Sequence, residues 1–234
     1  GVPLQLEPRR PPDLRLHIVP QQTVETNHLR RWSLQPLIGL YAQGRLQQAL
    51  GQAKQLQQRF PNSVILFNIS GASYAGLGQL DAAIDSYVKA IQIEPDNAEA
   101  YYNMGSVLQE KYELEAAIRS YKQAIEIKSD FTEAYGNMGN ILQDMGNIEA
   151  AVENYKKALM INPDYVDAYY NMGNALRDKG NLETAIESYQ KALNIKPDYA
   201  EAYNNMGNAH KANGNPEAAI NSYKQALKIK PDYA

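Results

Sequence analysis

The chain has 234 residues and a formal net charge of −3, from 23 Lys and Arg against 26 Asp and Glu. It contains no cysteine, which excludes a disulfide framework and a cysteine-ligated zinc site, and no apolar run reaches the ~18 residues of a membrane span. A hydrophobic content of 44% suffices for a packed core, and the net charge does not favour a nucleic-acid binder. Because no signal-peptide core is visible, we expect a cytoplasmic protein.

The first segment, residues 1–29, has five prolines, three arginines and no hydrophobic period. This composition predicts an extended arm, whether native or left from expression. Residues 1–63 carry a net charge of +5, whereas residues 64–234 carry −8. Opposite charges favour docking of the arm into a groove of its own chain or of a neighbour.

A repeat of 34 residues follows the arm and is marked by the 17 tyrosines. Two tyrosines, at the fourth and twenty-fourth positions, recur in most units, together with a glycine, an alanine and a proline in constant register. The predicted units are 30–63, which is degenerate, 64–97, 98–131, 132–165, 166–199 and 200–233. Such a period indicates a stack of identical supersecondary units rather than one globular domain.

Each unit has the pattern of two helices. In unit 166–199, apolar residues recur at three- and four-residue steps in two stretches separated by Gly180 and Asn181. Glycine tolerates the left-handed conformation that ends a first helix, asparagine is a good N-cap for a second, and Pro197 ends that second helix. Neither helix buries its stripe alone, so we expect the tyrosines to pack between neighbouring units.

The repeated pattern, Tyr-x2-Met-Gly followed by Ala-x3-Tyr-x2-Ala and Pro, resembles the tetratricopeptide repeat in length and motif. The resemblance covers about six-sevenths of the chain. It implies an all-α fold, a right-handed α-α superhelical solenoid of helix-turn-helix repeats. It also implies a concave groove, lined by the first helices, that binds peptide segments of other proteins.

The groove positions that this resemblance implies carry a double row of asparagines. The candidate partner-binding residues are Asn103, Asn137, Asn171 and Asn205 at the sixth position, Asn140, Asn174 and Asn208 at the ninth, and Tyr102 and Tyr170 at the fifth. An amide offers a donor and an acceptor, as a peptide unit does. The double row is similar to the asparagine ladder of O-linked N-acetylglucosamine transferases. Alternatively, these asparagines brace adjacent helices or persist from repeat duplication.

Acidic residues occupy the second groove position, as Glu99, Glu133, Asp167 and Glu201. The lysine and arginine pattern of the family's carboxylate clamp is absent, so we expect a neutral to basic partner segment. In unit 64–97, Ile65, Ile69 and Ala72 interrupt the polar groove. This predicts an apolar subsite or a place that the N-terminal arm covers.

The last predicted helix, about 216–230, keeps the apolar pattern of the internal helices. Its residues Ala219, Ile220, Tyr223 and Leu227 would contact a further unit. Solenoids usually end in a polar capping helix. We therefore expect a fragment of a longer protein, with self-association through this face as a consequence.

No motif for catalysis, metal binding or cofactor binding occurs in the sequence. Of three histidines, His17 and His28 lie in or beside the arm, and His210 replaces a core leucine. We expect no metal, no cofactor and no catalytic residue.

The predicted function is a non-catalytic scaffold that binds an extended peptide. The alternative is the substrate-recruiting region of a larger enzyme, such as a glycosyltransferase, sulfotransferase or methyltransferase. A third class, RNA binding, requires a basic groove and conflicts with the acidic charge of residues 64–234.

Overall fold

The computed structural model describes residues 34–232, and all regular structure in this range is α-helical. The helices are α1 Leu34–Ala42, α2 Leu46–Arg59, α3 Val64–Gly76, α4 Leu80–Ile93, α5 Ala98–Glu110, α6 Leu114–Ile127, α7 Thr132–Asp144, α8 Ile148–Ile161, α9 Val166–Asp178, α10 Leu182–Ile195, α11 Ala200–Ala212 and α12 Pro216–Ile229. The expected N-terminal arm, with His17 and His28, lies outside the described residues.

The helices form two compact units, and the described parts are 34–129 (the N-terminal unit, α1–α6) and 130–232 (the C-terminal unit, α7–α12). Within each unit, the two helices of a repeat pack on each other, and the second helix packs on the first helix of the next repeat. Successive first helices also contact one another, so they share one face of each unit. This arrangement confirms the predicted all-α solenoid of helix pairs.

A tight turn joins the two helices of each repeat. Gly180 adopts a φ of +85° there, in the left-handed region that glycine enters without strain. In repeat 98–131 the same position holds Tyr112, which has a φ of 60° and a side chain that is 85% exposed. The expected N-cap at Asn181 makes no side-chain hydrogen bond, whereas Asn147 at the start of α8 accepts one from the Ala150 amide at 3.4 Å. The capping prediction is therefore wrong at Asn181.

One of the two tyrosine series forms the core. Its members Tyr87, Tyr121, Tyr155 and Tyr189 are 0% exposed. Each ring lies directly against a first-helix glycine: a Cβ atom on Gly173 would lie 2.6 Å from Tyr189 Cε1. The other series, at the fourth position, is only half-buried. The helices of a repeat therefore approach closely because a glycine faces the ring.

The last described helix, α12, has a more exposed apolar face than its equivalent α10. Leu193 on α10 is 3% exposed under α11, whereas Leu227 on α12 is 45% exposed and Ile220 is 52% exposed. Tyr223 is half-buried, whereas Ala219 is 2% exposed because it packs inside its own repeat. The face that receives a following repeat elsewhere in this unit is thus open to solvent here.

Candidate functional site

The asparagines of the C-terminal unit lie on its first helices α7, α9 and α11. We call the surface formed by their sixth- and ninth-position side chains the first-helix face. Its members in this unit are Asn137, Asn140, Asn171, Asn174, Asn205 and Asn208. All are half-buried except Asn208, which is exposed. Contacts of α9 with both α7 and α11 bring these amides onto one continuous surface.

Each ninth-position amide oxygen of this face accepts hydrogen bonds from the protein itself. Asn140 Oδ1 accepts from the Tyr155 hydroxyl at 2.8 Å and from Asn171 Nδ2 of the next repeat at 2.9 Å. The hydroxyl of Tyr155 also lies 3.0 Å from Gln143 Oε1. The asparagine therefore ties a second helix of its own repeat to the first helix of the following repeat.

The arrangement recurs one repeat later. Asn174 Oδ1 accepts from the Tyr189 hydroxyl at 2.8 Å and from Asn205 Nδ2 at 2.9 Å. In the last repeat, Tyr223 donates to Asn208 Oδ1 at 2.8 Å. Burial raises the pKa of the Tyr189 hydroxyl well above its usual value, so at neutral pH it stays a protonated donor.

These internal bonds determine which groups the asparagines present to a ligand. Both acceptor sites of Asn140 Oδ1 and of Asn174 Oδ1 are engaged, and these two residues take part in the described hydrogen bonds only as acceptors. Asn205 takes part only as a donor in the described hydrogen bonds, since its Nδ2 donates both to Asn174 and to the Tyr170 hydroxyl, 3.0 Å away. Ninth-position amides thus keep N–H donors, and Asn205 keeps its carbonyl acceptor.

Tyr170 is half-buried beside this network. Its ring packs against Tyr199 with centroids 4.8 Å apart and against Tyr189 with centroids 6.1 Å apart. Lys196 Nζ lies 4.6 Å from the centroid of the Tyr199 ring. The predicted partner-binding Tyr170 is therefore also a structural residue of its repeat.

The N-terminal unit differs from this pattern. Asn103 is only 1% exposed, so it contributes little surface to a ligand. Tyr102 packs on Tyr121, with ring centroids 5.7 Å apart, and the Tyr121 hydroxyl lies 3.2 Å from Ser106 Oγ, which replaces the ninth-position asparagine. Of the expected apolar subsite, Ile69 and Ala72 are 0% and 1% exposed and pack in the core, while Ile65 is half-buried.

Two of the four acidic second-position residues lie near a lysine of their own repeat. Glu99 lies 3.8 Å from Lys128 Nζ, and Glu201 lies 3.9 Å from Lys230 Nζ. Glu99 is half-buried, whereas the side chains of Glu201 and Lys230 are more exposed, so their pair is weak and screened by salt. The negative potential expected from the sequence is reduced at these two positions.

Within residues 34–232, no group of three or more His, Cys, Asp or Glu side chains is arranged to bind a metal. His210 is half-buried on α11, and its Nδ1 atom is buried without a hydrogen-bond partner. No helix in the described range is both long and apolar enough to cross a membrane.

The tyrosine-to-asparagine hydrogen bonds are the part of the site that sequence reasoning missed. A signal was present, because the asparagine and the tyrosine that donates to it are always 15 residues apart. The repeat pattern alone predicts the tyrosine only as a core residue. Its hydroxyl group carries the connection between the core and the first-helix face.

Comparison with known proteins agrees with this geometry. A family model described as TPR repeat matches residues 71–111, 110–146, 139–176 and 173–214, and one described as tetratricopeptide repeat matches 200–233. No curated protein matches the sequence. Among solved structures, the MamA protein is 28% identical with a TM-score of 0.67, over 72% of this chain and 92% of that chain.

Two further solved structures share the fold at lower identity. YrrB, titled a TPR protein with an unusual peptide-binding site, is 21% identical over 77% of this chain and 93% of that chain, with a TM-score of 0.65. The C-terminal part of a TPR repeat-containing protein from Cytophaga hutchinsonii is 19% identical over 83% of this chain and 78% of that chain, with a TM-score of 0.72. With family models matching most of residues 71–233, the chain belongs to the tetratricopeptide repeat family.

Proposed function

We propose that this protein–protein interaction scaffold binds an extended peptide segment on the first-helix face, and that the asparagine amides hydrogen-bond the peptide backbone. The observation that carries the proposal is that the ninth-position asparagines and Asn205 of the sixth-position row leave opposite hydrogen-bonding groups unused, donors in one case and an acceptor in the other. Asn140 and Asn174 keep N–H donors, while Asn205 keeps a carbonyl acceptor. A peptide unit needs one donor and one acceptor from its receptor.

The internal hydrogen bonds also support this function. They hold each amide in one orientation before a ligand arrives, so less conformational entropy is lost on binding. Each bond to the peptide would contribute about 0.5–1.5 kcal/mol. Because such bonds read the backbone, the scaffold would accept different sequences, with a preference for neutral to basic segments from the acidic surroundings.

The decisive experiment replaces the ninth-position amides without disturbing the network. The double variant Asn140→Asp with Asn174→Asp keeps an oxygen acceptor for the tyrosine and the neighbouring asparagine but removes the N–H donors. Peptides selected on an array of neutral and basic segments are measured by fluorescence anisotropy. We expect at least a tenfold loss of affinity for neutral peptides, with unchanged helical circular dichroism.

A matched control separates this effect from added charge. Asn194 and Asn221 are exposed asparagines on second helices, so their double Asp variant changes the net charge equally outside the first-helix face. It should bind neutral peptides like the wild type. Equal affinities of the two double variants would show that the amide donors are not used. A triple variant with Asn137, Asn171 and Asn205 all changed to Ala tests the sixth position in the same assay.

A second candidate function is recruitment of substrates for an enzyme carried by a longer chain. In such a chain, the open apolar face of α12 would receive a further repeat at Leu227 and Ile220, as α10 receives α11. Reading the coding sequence beyond Ala234 tests this alternative directly. Self-association is the other consequence of that face, through Ile220, Tyr223 and Leu227 but not through the predicted Ala219, which is buried. Sedimentation of a Leu227→Glu variant should then show less dimer than the wild type.

Docking of the N-terminal arm, residues 1–29, would make the chain its own ligand. Its three arginines and three acidic residues give it no net charge, so the support for docking is its proline-rich composition, which favours the extended conformation that a peptide groove binds. Deleting residues 1–28 should then increase peptide affinity, because the arm would no longer compete. Unchanged affinity and unchanged oligomeric state would contradict docking.

A further inference from the structure

The hydrogen-bond network of the C-terminal unit has a defined centre at each junction between repeats. Around Asn174, the Tyr189 hydroxyl and Asn205 Nδ2 lie 2.8 Å and 2.9 Å from its Oδ1 atom. The Tyr170 hydroxyl completes the group at 3.0 Å from Asn205 Nδ2. Three hydrogen bonds therefore join four side chains from α9, α10 and α11.

The same four positions exist in the N-terminal unit, 102 residues earlier in the sequence, on α3, α4 and α5. They hold Asn68, Ala72, Tyr87 and Asn103. Three of the four remain polar. The central residue, which accepts two hydrogen bonds in the other unit, is an alanine and carries no amide.

The polar side chains at the other three positions each have a buried atom without a hydrogen-bond partner, and Ala72 and Tyr87 belong to the same core cluster. Within the described residues, Asn68 Oδ1, the Tyr87 hydroxyl and Asn103 Oδ1 have no hydrogen-bond partner. Tyr87 is 0% exposed, and Ala72 and Asn103 are each 1% exposed. Buried polar groups without partners are rare in native proteins because their desolvation is not compensated.

We propose that one buried water molecule binds beside the Ala72 methyl group and replaces the missing carboxamide. Water supplies a donor for each of the two Oδ1 atoms and an acceptor for the Tyr87 hydroxyl. Internal waters typically make about three hydrogen bonds to groups that otherwise lack partners. A carboxamide has three heavy atoms, so the difference between asparagine and alanine leaves room for one water.

The burial of Tyr87 and Asn103 selects water over a larger ligand, since a peptide side chain has no open path to them. The junction of α3, α4 and α5 is then linked through an exchangeable solvent molecule, whereas the junction of α9, α10 and α11 is linked through a covalently attached amide. The inference does not depend on peptide binding and stands apart from the proposed function.

Reciprocal substitutions test the site. Ala72→Asn supplies the amide, and Asn174→Ala removes it from the equivalent position. High-resolution crystal structures of the wild type and both variants locate the water, and differential scanning calorimetry gives their midpoints. In the wild type we expect a water within hydrogen-bonding distance of Tyr87 and Asn103.

In Ala72→Asn, the new carboxamide should occupy the position of the water, with a midpoint raised by roughly 2–4 °C. In Asn174→Ala, a water should appear beside Tyr189 and Asn205, with a lowered midpoint. No water beside Ala72 in the wild type, or a side chain from residues 1–33 in its place, overturns the proposal. A lowered midpoint in Ala72→Asn also overturns it, because the room for a carboxamide would not exist.

Discussion

The close contact between Gly173 and Tyr189 makes Gly173→Ala a sensitive test of how the repeats pack. A Cβ atom at this position would lie 2.6 Å, 2.8 Å and 3.0 Å from Cε1, Cδ1 and Cζ of the ring. The ring cannot move freely, since it is 0% exposed and its hydroxyl donates to Asn174. The substitution therefore forces helices α9 and α10 apart or tilts the ring.

Two effects of opposite sign set the size of the change. Forcing an extra methyl group into a packed core costs about 1–3 kcal/mol. Replacing glycine by alanine inside a helix raises the free energy of unfolding by about 0.5–1 kcal/mol, because the unfolded chain loses conformational entropy. We expect a net loss of about 1–2 kcal/mol, which corresponds to a midpoint lowered by about 2–8 °C for a chain of this size.

The matched control is Gly51→Ala in α2. Gly51 is exposed inside a helix, and a Cβ atom there meets nothing within 4 Å. The same substitution should therefore raise the midpoint by about 1–4 °C. Thermal unfolding followed by circular dichroism measures both variants. A Gly173→Ala protein as stable as the wild type would refute the packing argument. A destabilised Gly51→Ala protein would refute the expected gain from alanine inside a helix.

Three further predictions concern tyrosines. Tyr112→Gly should raise the free energy of unfolding by about 1 kcal/mol, because a φ of 60° strains a tyrosine but not a glycine. Urea titrations measure this change, and Tyr112→Ala should show no comparable gain. Burial raises the pKa of Tyr155 and Tyr189, so these hydroxyl groups ionise in the unfolded chain at a lower pH than in the folded protein. The free energy of unfolding should therefore be constant below pH ~10 and should fall above it, by up to ~1.4 kcal/mol per pH unit for each tyrosine. Urea unfolding at about pH 9 and about pH 11 measures this, and a Tyr155→Phe variant with an unchanged slope would contradict it. Tyr189→Phe should lower the free energy of unfolding by about 1 kcal/mol, because it removes the hydrogen bond to Asn174. Tyr223→Phe removes the equivalent bond in the exposed last repeat and should lower it by less. Equal losses in denaturant titrations would show that burial does not strengthen the bond.

The helix pairs could be predicted from the sequence because their signals are local. Periodic apolar residues, a turn glycine such as Gly180 and a terminating proline such as Pro197 act within a few residues of the chain. Capping at Asn181 was wrong because an N-cap bond depends on the rotamer that the surrounding turn permits. A favourable residue type does not fix that rotamer.

The hydrogen bonds of the candidate site could not be predicted from the sequence. The family resemblance placed Asn140, Asn171 and Asn174 at groove positions, and their role in binding stays a prediction. Which of their atoms are engaged depends on side chains 15 and 31 residues away in the chain. Repeat spacing alone does not give such distances. The interpretation of these asparagines as braces between helices and the interpretation as ligand contacts are therefore compatible.

The repeat length, the all-α class and the family could be predicted from the 34-residue period and its motif, because such a period requires every unit to fold alike. Only the folded chain shows which tyrosine series is core, that Asn103 is buried, and that Asn174 Oδ1 accepts from both Tyr189 and Asn205. These properties depend on contacts between helices, including helices of different repeats. Residues in the same repeat position can then differ in environment, as Ala72 does from Asn174.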